Sequence, residues 1–219
     1  MNERIWSLLQ TSFTQILIPG LQVTLPLTAV SFTLGLIIAL LTALVQVAKL
    51  PVLKTIARAY VWIFRGTPML VQLYIVFYGL PKLGTYVDAI PAAIVVFSLN
   101  TGAYASETIR AAILSVPVGQ MEAGYCVGMT YTQTMFRIIL PQAMRTAFPP
   151  LSNNLIGLVK DTSLASNITV TEMFLVSQRI AARTYEPFWL YVEVGAVYLI
   201  FCTVLTWVQR WLEKRLERK

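Results

Sequence analysis

The chain has 219 residues, 57% of them hydrophobic and only 12% charged, with a formal net charge of +7 and no histidine. A soluble domain carries about a quarter charged residues, so a soluble fold is excluded. The missing imidazole also removes the commonest general base and the commonest metal ligand. Charge is segregated along the chain, with none between Arg4 and Lys49 and none between Arg65 and Lys82. A hydrocarbon core of ~30 Å needs about 20 apolar residues in a helix. No alternation typical of a β-barrel strand appears, which leaves helices as the spanning element.

Taken in chain order, the pattern predicts an all-α membrane protein with about five transmembrane helices in a single domain over residues 1–219. Trp6–Val23 is apolar but interrupted by Pro19 and Gly20, and reads as an interfacial helix leading into the membrane. Its run is too long for a signal-peptide core and no small-residue cleavage site follows a basic start, so it is expected to be retained. The predicted spans are 25–48, 60–80, 91–115, 149–174 and 188–207. Residues 116–148 form a polar loop between the third and fourth spans.

An odd number of spans puts the termini on opposite sides. With the C-terminus inside, the cytoplasmic segments hold Lys49, Lys54, Arg58, Arg65, Arg110, Arg137, Arg145, Arg210, Lys214, Arg215, Arg218 and Lys219. The outer segments hold only Arg4, Lys82, Arg179 and Arg183. Basic residues near span ends are retained inside, so the N-terminus is expected outside and the 116–148 loop in the cytoplasm. The positive net charge follows from attraction to anionic inner-leaflet lipid. Nucleic acid is not an expected partner, since no basic stripe with interleaved aromatics exists.

Polar residues inside the spans cost at least ~2.5–3.5 kcal/mol each when charged and mark candidate functional sites. In the third span Asn100, Tyr104 and Glu107 fall at i, i+4 and i+7, on one helical face. Arg110, one turn beyond Glu107, could pair with it or reach the inner surface. In the fourth span Lys160, Asp161, Thr162 and Ser163 are consecutive. Neighbours on a helix point apart, so Lys160 and Asp161 need partners on other spans or a local opening. The favoured reading is an opening, with Asp161 or Thr162 capping a following half-helix whose free N–H groups face a substrate carboxylate. The competing reading is a buried structural pair, for example Lys160 with Glu107. Glu193 reads as a solvated rim charge. Arg65-Gly66-Thr67-Pro68 breaks helix geometry at the inner end of the second span, where Arg65 can reach lipid phosphate or the cytoplasmic loop.

In the loop, Pro117 ends the third span and opens a short helix over Gly119–Val127, with Gly128 suited to its left-handed C-terminal cap. Thr130 and Gln133 form a capping-box spacing for the next helix, which Pro141 is expected to interrupt after Leu140. Met135, Ile138 and Ile139 are expected to hold this pair of helices close to the membrane. Gly119 and Gly124 carry a phosphate-loop spacing, but Tyr125-Cys126 follow where Lys-Ser/Thr is required. Cys126 and Cys202 read as small packing residues, without a mutual disulfide.

Glu122-Ala123-Gly124, three residues, Gly128, nine residues, then Ile138, one residue, and Leu140-Pro141 resembles the cytoplasmic signature loop of permease subunits in binding-protein-dependent ABC importers. Only the third residue of the triplet departs, Gly124 for Ala, which would make a docking helix less rigid. Phe64-Arg65-Gly66-Thr67-Pro68, Ser98–Tyr104, Glu107–Ala112 and Leu158–Leu164 resemble the polar amino-acid branch, the histidine/glutamine/cystine type. The resemblance implies the type I importer permease fold, a place in a bacterial inner or plasma membrane, and a second permease copy or paralogue. It also implies a cytoplasmic ATPase pair and an external solute-binding protein. ATP and Mg would sit on the ATPase, with no cofactor and no catalysis in this chain.

On that resemblance Glu122, Ala123, Gly124 and Gly128 couple to the ATPase, and Asn100, Tyr104, Glu107, Lys160, Asp161, Thr162 and Ser163 lie along the substrate path. Both signs of charge with hydroxyls suit an α-amino-acid zwitterion. The absence of an acidic cluster argues against a dedicated cation, so cystine or a neutral polar amino acid is favoured. An ion-coupled secondary amino-acid transporter and a permease for a non-amino-acid solute are the alternatives.

Overall fold

The computed structural model describes residues 3–48 and 50–217, the side chains of Leu216 and Glu217 excepted. Among the charges counted above, Lys49, Arg218 and Lys219 therefore lie outside the described residues. Every described element is helical, and no strand occurs among them. Helix α1 (Glu3–Pro19) and α2 (Leu25–Val47) are joined through a π turn at Gly20–Thr24. They form one helix of 45 residues, about 68 Å long at 1.5 Å per residue. The sequence expectation of Trp6–Val23 as an interfacial helix apart from the first span is thus corrected. Buried Ile16 of α1 joins the cluster formed by Met173, Val194 and Val197.

A common local device explains why Pro26 and two later prolines do not break the chain. Each of the three π turns, Gly20–Thr24, Ile75–Gly79 and Met135–Ile139, ends two residues before a proline: Pro26, Pro81 and Pro141. Leu25 and Leu140 donate their N–H groups to the carbonyls five residues back, Gly20 and Met135. Proline lacks an N–H and its ring collides with the carbonyl four residues before it. Widening the preceding turn by one residue moves that carbonyl aside at the cost of a single π bulge.

After α2 come α3 (Pro51–Gly66) and α4 (Met69–Tyr74), and the π turn and a short 3₁₀ segment at Leu80–Leu83 extend α4. The pair Pro51–Gly66 and Met69–Leu83 bends by 104°. The segment 60–80 expected as one span is therefore broken within itself, at Gly66–Pro68. Helix α5 (Ala89–Ser115) is long and heavily buried, and α6 (Val118–Cys126) and α7 (Tyr131–Thr134) form the loop hairpin. The third π turn joins α7 to α8 (Leu140–Asp161), a 3₁₀ segment covers Thr162–Ile168, and α9 (Met173–Thr184) and α10 (Pro187–Glu217) complete the chain. Pro141 thus does not interrupt the loop's second helix. Residues 131–161 run as one helical rod of about 45 Å. Three helices, Glu3–Val47, Ala89–Ser115 and Pro187–Arg215, are long and apolar enough to cross a membrane, with the bent pair as a fourth candidate. Helix α8, with Arg145, Asn153, Asn154, Lys160 and Asp161, is not among them.

The centre of the bundle is the contact of α2 with α5. Along α2, Ser31, Gly35, Ala39 and Ala43 are buried at four-residue intervals, a stripe of small residues. A Cβ on Gly35 would lie 2.8 Å from Thr101 of α5, so the two backbones approach as small-residue seams permit. Ala105, Ile109, Ala112 and Ile113 of α5 continue the seam into a cluster with Met135, Ile139, Ala143 and Ala147. Met135 and Ile139 are therefore anchored in the protein interior, while Ile138 packs on its edge.

Candidate functional site

The corner between α3 and α4 is built by its sequence. Pro68 forces Thr67 into an extended conformation (φ −122°, ψ 144°), which strands the last carbonyls of α3. Buried Gln72 resolves this: its Nε2 donates to the Phe64 carbonyl at 3.0 Å, the Thr67 carbonyl at 3.1 Å and Thr67 Oγ1 at 2.9 Å. Asn100 on α5 donates to Gln72 Oε1 at 3.2 Å and to the Phe64 carbonyl at 3.4 Å. Arg65 lies 5.3 Å from the centre of the Tyr104 ring, a cation–π stack. Its partner is thus an aromatic ring of the neighbouring helix, rather than the loop.

Beside this corner lies a cavity of about 350 Å³. Thr67, Asn100, Thr101, Tyr104, Asn153, Asn154 and Asp161 supply its polar lining, with Met69 and Leu158 among its apolar residues. The structure therefore brings together Asn100, Tyr104 and Asp161 from the sequence-predicted set. It places Glu107 in a neighbouring cavity, where Arg110 grips it with contacts of 2.7, 3.2 and 3.3 Å. Among the described residues this is the one ion pair, so Lys160 and Glu107 do not pair. Lys160 is exposed and lines neither cavity.

The helix does not open at Asp161. It tightens from α to 3₁₀ at Thr162, and Asp161 makes no side-chain cap. Thr162 Oγ1 donates to the Val159 carbonyl at 2.6 Å and Ser163 Oγ to the Lys160 carbonyl at 2.7 Å. These hydroxyls turn back onto their own helix, so the expected half-helix with free N–H groups is corrected. The side chain of Asp161, not a helix end, is the charged group that this element presents.

Sequence reasoning passed over four polar residues. Asn153 and Asn154 line the cavity from α8, and Gln72 holds its corner. Glu172, fully buried, accepts N–H bonds from Phe174 at 2.8 Å and Leu175 at 2.7 Å, and the Tyr198 hydroxyl at 2.8 Å. Its signal was present: a carboxylate directly before an apolar helical run is an N-cap position. Glu193 receives the hydroxyl of buried Ser12 at 2.5 Å, so it is tied to α1 instead of standing as a free rim charge.

The loop follows its predicted chemistry closely. Helix α6 ends at Cys126, Gly128 takes the left-handed conformation (φ +78°), and Thr130 with Gln133 forms the capping box. Glu122 and Ala123 are exposed while Gly124 is buried. A Cβ on Gly124 would stand 2.5 Å from Thr134 Cγ2 and 2.6 Å from its Oγ1. Glycine here admits Thr134 against the α6 backbone, which corrects the reading of Gly124 as a loosening of the helix. Val118, Tyr125 and Val127 extend the exposed face with apolar surface. Cys126 is exposed on that hairpin, so it is not the packing residue expected, and both cysteines are free thiols.

Comparison with known proteins gives the family. Residues 31–218 match the family model of the binding-protein-dependent transport system inner membrane component. The chain is 51% identical to the L-cystine transport system permease protein TcyB of Bacillus subtilis (strain 168), over 97% of this chain and 92% of that protein. It is 40% identical to the probable amino-acid ABC transporter permease protein PatM of Vibrio harveyi, over 93% and 92%. The fold superposes on the crystal structure of an amino acid ABC transporter with histidines at TM-score 0.89 and 32% identity, covering 98% of this chain and 100% of the other. A methionine ABC transporter, MetNI, in an inward-facing conformation shares the fold alone, at TM-score 0.73 and 20% identity. With a family model matched over most of its length and a relative of 51% identity over nearly all of it, this chain belongs to the family of binding-protein-dependent transport system inner membrane components, whose members are transport subunits and not enzymes.

Proposed function

We propose that this chain is the permease of an ATP-driven importer for cystine, and that the substrate passes through the cavity at Asn100, Tyr104 and Asp161. The observation that carries the reading is the composition of that cavity: one carboxylate with three amides, two threonine hydroxyls and a phenol, and no second acid. Asp161 would receive an α-ammonium group, and the Asn153, Asn154 and Asn100 amides would meet the carboxylate and polar atoms. The 51% identity to a permease named for L-cystine supports cystine over other polar amino acids. Neither alternative weighed from the sequence finds support in TcyB or PatM, which are named as an L-cystine permease and a probable amino-acid ABC transporter permease.

The Glu122 hairpin would dock on a cytoplasmic ATPase that holds Mg and ATP, with the N-terminus outside and the C-terminus inside. An external binding protein would hand over the substrate, and a second permease copy would complete the pathway. When the ATPase pair closes, α6 moves. The rod from Tyr131 to Asp161 would then carry that displacement from the hairpin to the cavity wall, because the Met135 π turn leaves it continuous. The test is uptake and ATPase activity in proteoliposomes that contain the permease, its ATPase and binding protein, with single amino acids supplied in turn. Stimulation by cystine above glutamine, histidine, arginine and glutamate supports the proposal. Stimulation by another amino acid alone overturns the substrate assignment, and ion-gradient dependence without ATP overturns the importer.

A further inference from the structure

A second cavity, of about 450 Å³, lies between the C-terminal end of α2, the face of α3 and the C-terminal half of α5. Lys54, Arg58 and Arg65 enter it from one face of α3, at spacings of about one and three helical turns. Arg110 and Glu107 enter from α5 already committed to each other. Lys54, Arg58 and Arg65 have no carboxylate within ion-pair distance among the described residues. The cleft is thus positive beyond what its own acid neutralises. Buried Gln46, 6% exposed, also lines it and faces the Glu107 carboxylate. Three cations without a carboxylate of their own ask for one ligand, an anion with several acceptor oxygens.

The rim of the cleft identifies the anion further. Trp62 is 76% exposed and Leu114 is 61% exposed, and both line the same cavity. Tryptophan at headgroup level is a membrane-interface residue, and exposed Leu114 offers contact for an acyl chain. A soluble phosphate would use the cations and leave this apolar rim idle. We propose that the cleft between α2, α3 and α5 is a binding site for the phosphate headgroup of an anionic membrane lipid. The site is separate from the substrate cavity, and it touches that cavity only through the Arg65–Tyr104 stack. An occupant there would hold Arg65 against the α3–α4 corner. Lipid charge would then bias the geometry of the substrate cavity.

The experiment uses the assembled importer in detergent, with native mass spectrometry to count retained lipid and a titration of thermal stability to measure binding. The probes are dioleoyl phosphatidylglycerol, dioleoyl phosphatidylcholine and inorganic phosphate. The expected result is one phosphatidylglycerol retained per permease chain, with phosphatidylcholine washed out. Removing two cations with Lys54→Gln/Arg58→Gln should weaken phosphatidylglycerol binding about thirtyfold, whereas Lys214→Gln/Arg215→Gln in the C-terminal tail should leave it unchanged. Should the double variant fail to assemble, Arg58→Gln alone should weaken binding about fivefold. Equal retention of phosphatidylcholine, equal loss in the tail variant, or no lipid retained because a second permease copy covers the cleft would each overturn the proposal. Full displacement of the lipid by inorganic phosphate would show a soluble-anion site and overturn it too.

Discussion

Gly124→Ala puts the hairpin's packing to a sharp test, because two effects of similar size oppose each other there. Alanine at a helix interior is favoured over glycine by about 1 kcal/mol. Against that, the new methyl would stand 2.5 Å from Thr134 Cγ2, 2.6 Å from Oγ1 and 3.1 Å from Cβ. Thr134 cannot easily yield: it is fully buried, β-branched, and its Oγ1 donates to the Thr130 carbonyl at 3.0 Å. Overpacking of this kind costs roughly 1–3 kcal/mol. The net expectation is a loss of up to about 2 kcal/mol in the opening free energy of α6, or up to about a 30-fold faster amide exchange. Hydrogen exchange over Val118–Cys126 in the assembled complex would measure it. Thr134→Ala deletes both clashing atoms and leaves the Thr134 N–H to Thr130 carbonyl bond of 2.9 Å in place. The double variant should therefore regain the protection that Gly124→Ala loses. Slower exchange in Gly124→Ala alone, or no coupling between the two sites, would refute the close-approach argument.

Three further outcomes follow from the geometry. Glu172→Gln places an amide nitrogen either against the Leu175 N–H or against the Phe174 N–H and the Tyr198 hydroxyl. It should destabilise the complex by about 1–3 kcal/mol, visible as a lowered melting temperature with substrate affinity unchanged. Asp161→Asn removes the one carboxylate of the substrate cavity and should raise the uptake KM about 10–100-fold if it holds an ammonium group; an unchanged KM would place the substrate elsewhere. Glu122→Arg reverses an exposed charge on the docking face, and it should abolish substrate-stimulated ATPase activity while the permease remains folded and membrane-inserted.

Local chemistry was legible in the sequence because it depends on neighbours within a few residues. The helical membrane class follows from the length of the uncharged runs. The left-handed cap at Gly128, the Thr130–Gln133 capping box and the break at Gly66–Pro68 follow from residue types at short spacing. The side-chain set at Asn100, Tyr104 and Asp161 was visible as polar groups in apolar surroundings, although which of them meet was not. That required distance information that no local pattern holds: Thr67 of the corner and Asn153 and Asn154 of α8 meet Asn100, Tyr104 and Asp161 in one cavity, whereas the pairing of Glu107 with Arg110 one turn away was already open in the sequence. Pro141 misled for a related reason. It removes one backbone bond, and a helix clamped by tertiary packing absorbs that loss as a π turn where an isolated one would break. Gly124 shows the same division. Its missing side chain reads locally as looseness, and only the arrival of Thr134 from the next helix makes it a requirement for close packing.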